Sequence, residues 1–176
     1  ATPHYLNLSN NHAGWKRIAF HLATAQDLTI DGNGARLVFH GEMLPFCIED
    51  ARQIRIQNLT IDWERPFYSQ AAILAGDHRS VDFHIDTDRY PCALRDGQLL
   101  FIGEGWERPL NEGIFEVEPE TGRPAPGSGD NLGGKLERGT GAEQMGPETF
   151  RLYGTFPKPA KPGTRPILRH TRRDFP

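Results

Sequence analysis

Apolar and polar positions alternate along much of this chain, and no stretch carries the three-to-four-residue spacing of a helix. Phe20-His-Leu22 and Leu28-Thr-Ile30 form one pair of short alternating segments. Phe46-Cys-Ile48 and Ile54-Arg-Ile56 repeat that pair about 26 residues later, a period within the range of solenoids. Polar turns separate the members of each pair, Ala25-Gln-Asp27 in the first copy and Asp50-Ala-Arg-Gln53 in the second. Asp31-Gly-Asn-Gly34 marks a sharp corner before Leu37-Val-Phe39, because glycine and asparagine tolerate positive φ. In the second copy Asn58 interrupts Ile56 and Leu59-Thr-Ile61 at a matching place. The pattern predicts early rungs of a right-handed parallel β-helix over residues 1–70, with Ile30, Phe39, Ile48, Ile56 and Ile61 facing inward. Alternation alone is also compatible with a sandwich of antiparallel hairpins.

The repeat stops after Gln70. Ala71-Ala-Ile-Leu74, Val81-Asp-Phe-His-Ile85, Gln98-Leu-Leu-Phe-Ile102 and Gly113-Ile-Phe-Glu-Val117 still read as strands. Turn residues at Gly76-Asp77, Arg95-Asp-Gly97 and Glu120-Thr-Gly122 separate them as hairpins. Pro119 to Gly146 is rich in glycine and proline and reads as a long exposed loop. Thr149-Phe-Arg-Leu-Tyr153 and Pro166-Ile-Leu-Arg-His170 resume strand character. The expected division is therefore solenoid rungs at 1–70, an inserted antiparallel domain at 71–165, and a strand returning to the solenoid at 166–176. No capping element follows Phe175-Pro176, and a solenoid needs capped ends to be soluble, so the chain reads as a fragment.

Composition narrows the function classes. The 176 residues carry a formal net charge of -3 with both signs interspersed. Such a surface has no extended positive field to attract nucleic acid. No apolar run approaches the roughly 18 residues of a spanning helix. No targeting peptide is visible in Ala1 to Leu8. Cys47 and Cys92 fall in different segments without the spacing of a metal knot, and are expected as two buried free thiols.

One family matches these motifs in order. The run from Leu28 through Ile30-Asp-Gly-Asn-Gly34 to His40-Gly41, then Met43-Leu-Pro-Phe46, Asn58-Leu-Thr-Ile-Asp-Trp-Glu-Arg-Pro66 and Ser69-Gln70, resembles the exo-acting α-1,3-galactosidases of glycoside hydrolase family 110. Ser9-Asn-Asn-His12, Gly97-Gln-Leu-Leu-Phe-Ile-Gly-Glu-Gly-Trp106, Pro162-Gly163 and Arg169-His170 are similar too. The resemblance implies a parallel β-helix with a β-barrel inserted between early coils, and an inverting hydrolase that releases terminal α-linked galactose from glycans. It implies a secreted or periplasmic location and no cofactor. It also implies that the acidic catalytic residues belong to later coils, so none is assigned here and the chain alone is expected to be inactive. A polysaccharide lyase or epimerase on the same solenoid, and a non-catalytic carbohydrate-binding solenoid, are the alternatives. The lyase reading wants a basic cluster, and Arg52 and Arg55 alone are a poor one.

Inverting hydrolysis uses two carboxyl groups about 6.5–9.5 Å apart. Asp62 and Glu64, two apart on an expected strand, would share a face at about 6.5–7 Å. A solvated strand face, or an ion pair to Arg65, explains them as well. The candidate substrate contacts are His40, Asp62, Glu64, Arg65 and Trp106, the last as the most exposed aromatic because Gly103 and Gly105 flank it. Asp82, His84, Asp86 and Asp88 alternate along one strand and would splay too far apart to share an ion, so no metal site is assigned. Gly129 to Lys135 has the spacing of a phosphate loop, but Leu136 stands where the magnesium-holding hydroxyl is needed.

Overall fold

The computed structural model describes residues 3–5, 15–110, 114–126 and 141–169, and the architecture is all-β with mixed parallel and antiparallel sheets. Packing divides it into two units. Among the described residues, one holds those up to Pro66 together with Glu104–Trp106, and the other holds Phe67–Gly103 and the residues from Glu107 to Arg169. Among the described residues no helix is long and apolar enough to cross a membrane.

In the first unit β1 (Pro3–Tyr5) pairs antiparallel with β2 (Trp15–Ala23), and β2 pairs in parallel with β4 (Leu44–Glu49). Likewise β3 (Thr29–Phe39) pairs in parallel with β5 (Arg55–Trp63). Phe20 stands opposite Phe46 and Ile30 opposite Ile56, the same offset that the repeat carries in sequence. The phenyl rings of Phe20 and Phe46 stack at 4.9 Å between centroids. Parallel pairing thus replaces the antiparallel alternative in these four strands.

The corners repeat as faithfully as the strands. Thr24 and Asp27 have positive φ in the first coil, and Asp50 and Gln53 have it at the equivalent places in the second. The backbone ladder continues through the bend, from Thr24 N–H to the Glu49 carbonyl and from Asp27 N–H to the Arg52 carbonyl. Left-handed conformations cost roughly 1–2 kcal/mol per non-glycine residue. Here the stacked hydrogen bonds hold them. Further along, the register slips: Asp31 faces Gln57 and Ala35 faces Leu59, so Gly32-Asn33-Gly34 lies opposite Asn58 alone. A Cβ at Gly32 would come within 2.5 Å of the Leu59 Cβ, which only glycine avoids. The expected corner is therefore a bulge inside one long strand rather than a break between two.

Burial follows the expected register only in part. Phe39 is buried, and Ile30 and Ile56 are half-buried, but Ile48 and Ile61 are 49% and 39% exposed. Both exposed residues lie on β4 and β5, which are hydrogen-bonded along one edge only among the described strands. The second coil's apolar face is consequently covered from one side. Cys47 is buried beside Ile18, whereas Cys92 is half-buried rather than buried, and both thiols are free.

The second unit carries three sheets. Strands β7 (Ala72–Gly76), β8 (Ser80–His84), β14 (Thr149–Tyr153) and β13 (Ala142–Gly146) form one. Another contains β9 (Cys92–Arg95), β10 (Gln98–Gly103) and β11 (Trp106–Pro109). The third has β15 (Arg165–Arg169) between β12 (Ile114–Val117) and β6 (Tyr68–Gln70). The pairs β7/β8, β8/β14, β13/β14, β9/β10, β12/β15 and β6/β15 all run antiparallel. Asp96 and Gly97, both at positive φ, make the two-residue hairpin turn from β9 to β10. Val81, Phe83 and Ile85 are fully buried at alternate positions and meet a core with Phe101, Phe150, Phe156 and Leu168.

Arg165–Arg169, at the start of the segment read as a strand returning to the solenoid, bonds antiparallel to β6 and β12. The end of the long glycine-rich segment is not loop but β13, anchored by the buried Ala142. Residues 127–140, with the phosphate-loop spacing at Gly129 to Lys135, lie outside the described residues, as do Ser9 to His12 and His170 to Pro176.

Candidate functional site

His40 stands just past the end of β3, where the chain leaves the strand for Gly41 at positive φ. Its Nδ1 contacts Glu104 Oε1 at 2.7 Å, and the Gly41 N–H donates to the other oxygen, Oε2, at 3.0 Å. Glu104 is thus gripped at both oxygens by consecutive residues. The hydrogen bond to Glu104, then its charge, raises the His40 pKa from the ordinary 6.5, with Glu64 adding a smaller push in the same direction. The same bond to His40 holds the Glu104 carboxyl below its ordinary value, and the Gly41 amide assists. The imidazole is 65% exposed. With Nδ1 occupied, Nε2 is the ring nitrogen left for a further contact.

Asp62, at the end of β5, bonds Arg36 Nη2 at 2.5 Å and accepts the Trp63 N–H at 2.9 Å. The Arg36 bond, then the amide, holds its carboxyl below the ordinary range. The partner found is thus an arginine on the neighbouring strand, 26 residues away. In parallel register Arg36 faces Thr60, and Asp62 is two residues on, on the same face. Glu64 lies one residue beyond the end of β5, with its N–H bonded to the Phe39 carbonyl at 3.0 Å.

Arg65 and Trp106 correct the expectation of exposed contacts. Both are buried, at 7% and 5% exposure, and the guanidinium lies 5.5 Å from the indole centroid. Arg65 Nη1 also donates to the Pro66 carbonyl at 3.0 Å. A cation over an indole face is held by the ring quadrupole.

Two of the alternating acids of the second unit, Asp82 and Asp86, have local partners. Arg151 forks onto both Asp82 oxygens at 2.7 and 2.9 Å, and Asp86 accepts the Arg89 N–H at 3.0 Å. His84 faces Glu148 at 4.0 Å. They do not converge on an ion. Burial raises the Glu116 carboxyl, with Thr164 and Lys161 opposing the shift.

Sequence reasoning missed Glu104 and Arg36. Glu104 sits between two glycines in the quoted Gly103-Glu-Gly-Trp106 run, so the stretch was visible but its partner, 64 positions earlier, was not.

Comparison with known proteins places this geometry among relatives. Residues 69–165 match the family model described as GLAA-B beta-barrel domain I. Over 90% of its length the chain is 36% identical to alpha-1,3-galactosidase B of Bacteroides thetaiotaomicron, covering 26% of that protein. It is 32% identical over 96% of its length to alpha-1,3-galactosidase A of Shewanella woodyi, covering 28%. An alpha-1,3-galactosidase B of Akkermansia muciniphila matches at 28% identity over 88% of the chain and 19% of the relative. The chain spans about a quarter, or less, of the length of these relatives.

Proposed function

The chain belongs to the family of GLAA-B β-barrel domain I, homologous to bacterial α-1,3-galactosidases, and we propose that it is the β-helix rungs and inserted barrel of an inverting exo-α-1,3-galactosidase. One observation carries the reading: the similarity spans 90% of the chain and so takes in both the parallel-paired coils and the family domain. Its substrate is a glycan ending in α-linked galactose. Export from the cytoplasm is part of the same proposal.

Within that enzyme these residues bind and orient. His40, held by Glu104, presents Nε2 to a galactose hydroxyl, and the Asp62 and Arg36 pair offers a second polar contact. A general acid needs a carboxyl that keeps its proton near the working pH. Asp62 and Glu104 are both shifted the other way. Neither is suited as the general acid; in this reading the bond-breaking carboxyl groups belong to later coils, and the chain by itself releases no galactose.

The test uses the whole protein and an α-1,3-linked galactoside, with α-1,4 and α-1,6 isomers beside it. Proton NMR of the first product formed should show β-galactose from the α-1,3 substrate alone. First appearance of α-galactose would overturn inversion, and equal turnover of the isomers would overturn the linkage.

A further inference from the structure

We propose that His21, Cys47 and Glu49 form a binding site for a divalent transition metal of the zinc type on the first unit, with a fourth position left for water or a small ligand. The parallel register builds it. His21 on β2 stands directly opposite Cys47 on β4, and Glu49 follows Cys47 by two residues, hence on the same strand face. No linear spacing brings these three together, since a full coil separates the histidine from the cysteine.

The imidazole nitrogen, the thiol sulfur and a carboxylate oxygen all lie within 4.8 Å of one another. Around tetrahedral zinc, with bonds of about 2.0–2.3 Å, donor atoms sit roughly 3.4–3.6 Å apart. Small side-chain adjustments, the His21 and Glu49 atoms moving apart and the wider pairs drawing in, would bring the three donors to that spacing. The backbone beneath is fixed, because the strands are paired on both sides of the site and the Thr24 N–H bonds the Glu49 carbonyl. His21 already contacts Glu49 through Nε2.

Donor chemistry selects the ion. One sulfur, one nitrogen and one oxygen suit zinc or cobalt, whereas calcium and magnesium want oxygen shells of six or more. Access is open on one side: the His21 and Glu49 side chains are 29% and 40% exposed, while Cys47 forms the buried floor. Burial, then the Glu49 charge, pushes the Cys47 thiol up. The thiol is thereby a poor free nucleophile, and a bound cation reverses both causes by favouring the thiolate.

The experiment is titration of the tag-free, chelator-stripped protein with Zn2+ against a chromogenic chelator, and with Co2+ followed by absorption. One equivalent of Zn2+ should bind, and Co2+ should give a thiolate-to-metal charge-transfer band. His21→Ala and Cys47→Ser should each weaken Zn2+ binding at least tenfold and abolish the band, and Cys92→Ser should change neither. Circular dichroism checks that each variant is folded. If Cys47→Ser is unfolded, His21→Ala, altering a partly exposed side chain, decides the matter alone. No uptake of Zn2+ by the wild-type protein, a band that survives His21→Ala, or a band that disappears with Cys92→Ser would each overturn the site.

Discussion

At the residue scale the clearest case is His40. Its pKa is raised by Glu104, so whatever stability the pair contributes is fully present below the unfolded histidine value and is lost as pH rises through the higher folded one. Glu104 is shifted down, so its part is present above the unfolded carboxyl value and is lost as pH falls through the folded one. The pair therefore works best between those limits. Histidine resonances followed by NMR across pH should give His40 a midpoint above 6.5, and Glu104→Gln should bring it down towards the ordinary value; an unmoved midpoint would mean the contact is not made in solution. Asp62 makes a second test. Asp62→Asn removes the charge that holds Arg36, and in the whole enzyme kcat/KM for an α-1,3-galactoside should fall roughly 2–10-fold, mostly through KM, as expected for one weakened polar contact. Complete loss of turnover in the folded variant would instead make Asp62 a catalytic residue.

At the scale of elements, the two kinds of pairing leave different signatures on stability. On β8 the fully buried Phe83 sits where paired strands and a core close over it. Phe83→Ala should cost about 3–5 kcal/mol in urea unfolding. Ile48 on β4 is half out of the protein, and Ile48→Ala should cost about 1 kcal/mol or less. Similar losses from both would show that β4 is covered in solution by something beyond its pairing with β2. Most strands were legible from alternation and turn residues, since Asp96-Gly97 and Gly76-Asp77 obey local backbone rules. The short β6, β9, β11 and β13 were not. Three to five residues carry too little alternation, and they become strands only because a neighbour supplies the hydrogen bonds.

At the scale of the whole molecule, the second unit has its own core, and β15 completes it by pairing with β6 and β12. A piece running from Phe67 to Arg172 should therefore give a dispersed amide spectrum by NMR, whereas one cut at Ala71 and Arg165 loses both strands of that pairing and should be broadened or poorly dispersed. Equal dispersion would make β15 dispensable. The sequence by itself determined the all-β class, the coil period, the positions of the turns and the loss of the repeat after Gln70, because each is set by alternation, by glycine and asparagine at bends, and by matching residues one coil apart. His40 and Asp62 were legible as candidates through motif resemblance. Only the tertiary structure decided that β2 pairs with β4 and β3 with β5 in parallel, that Arg36 meets Asp62, that Glu104 holds His40, that Trp106 is buried, and that His21, Cys47 and Glu49 meet. Those facts depend on register and on contacts between residues from about 24 to 64 positions apart, and one-dimensional spacing fixes side-chain direction along a strand but not which strand lies beside it.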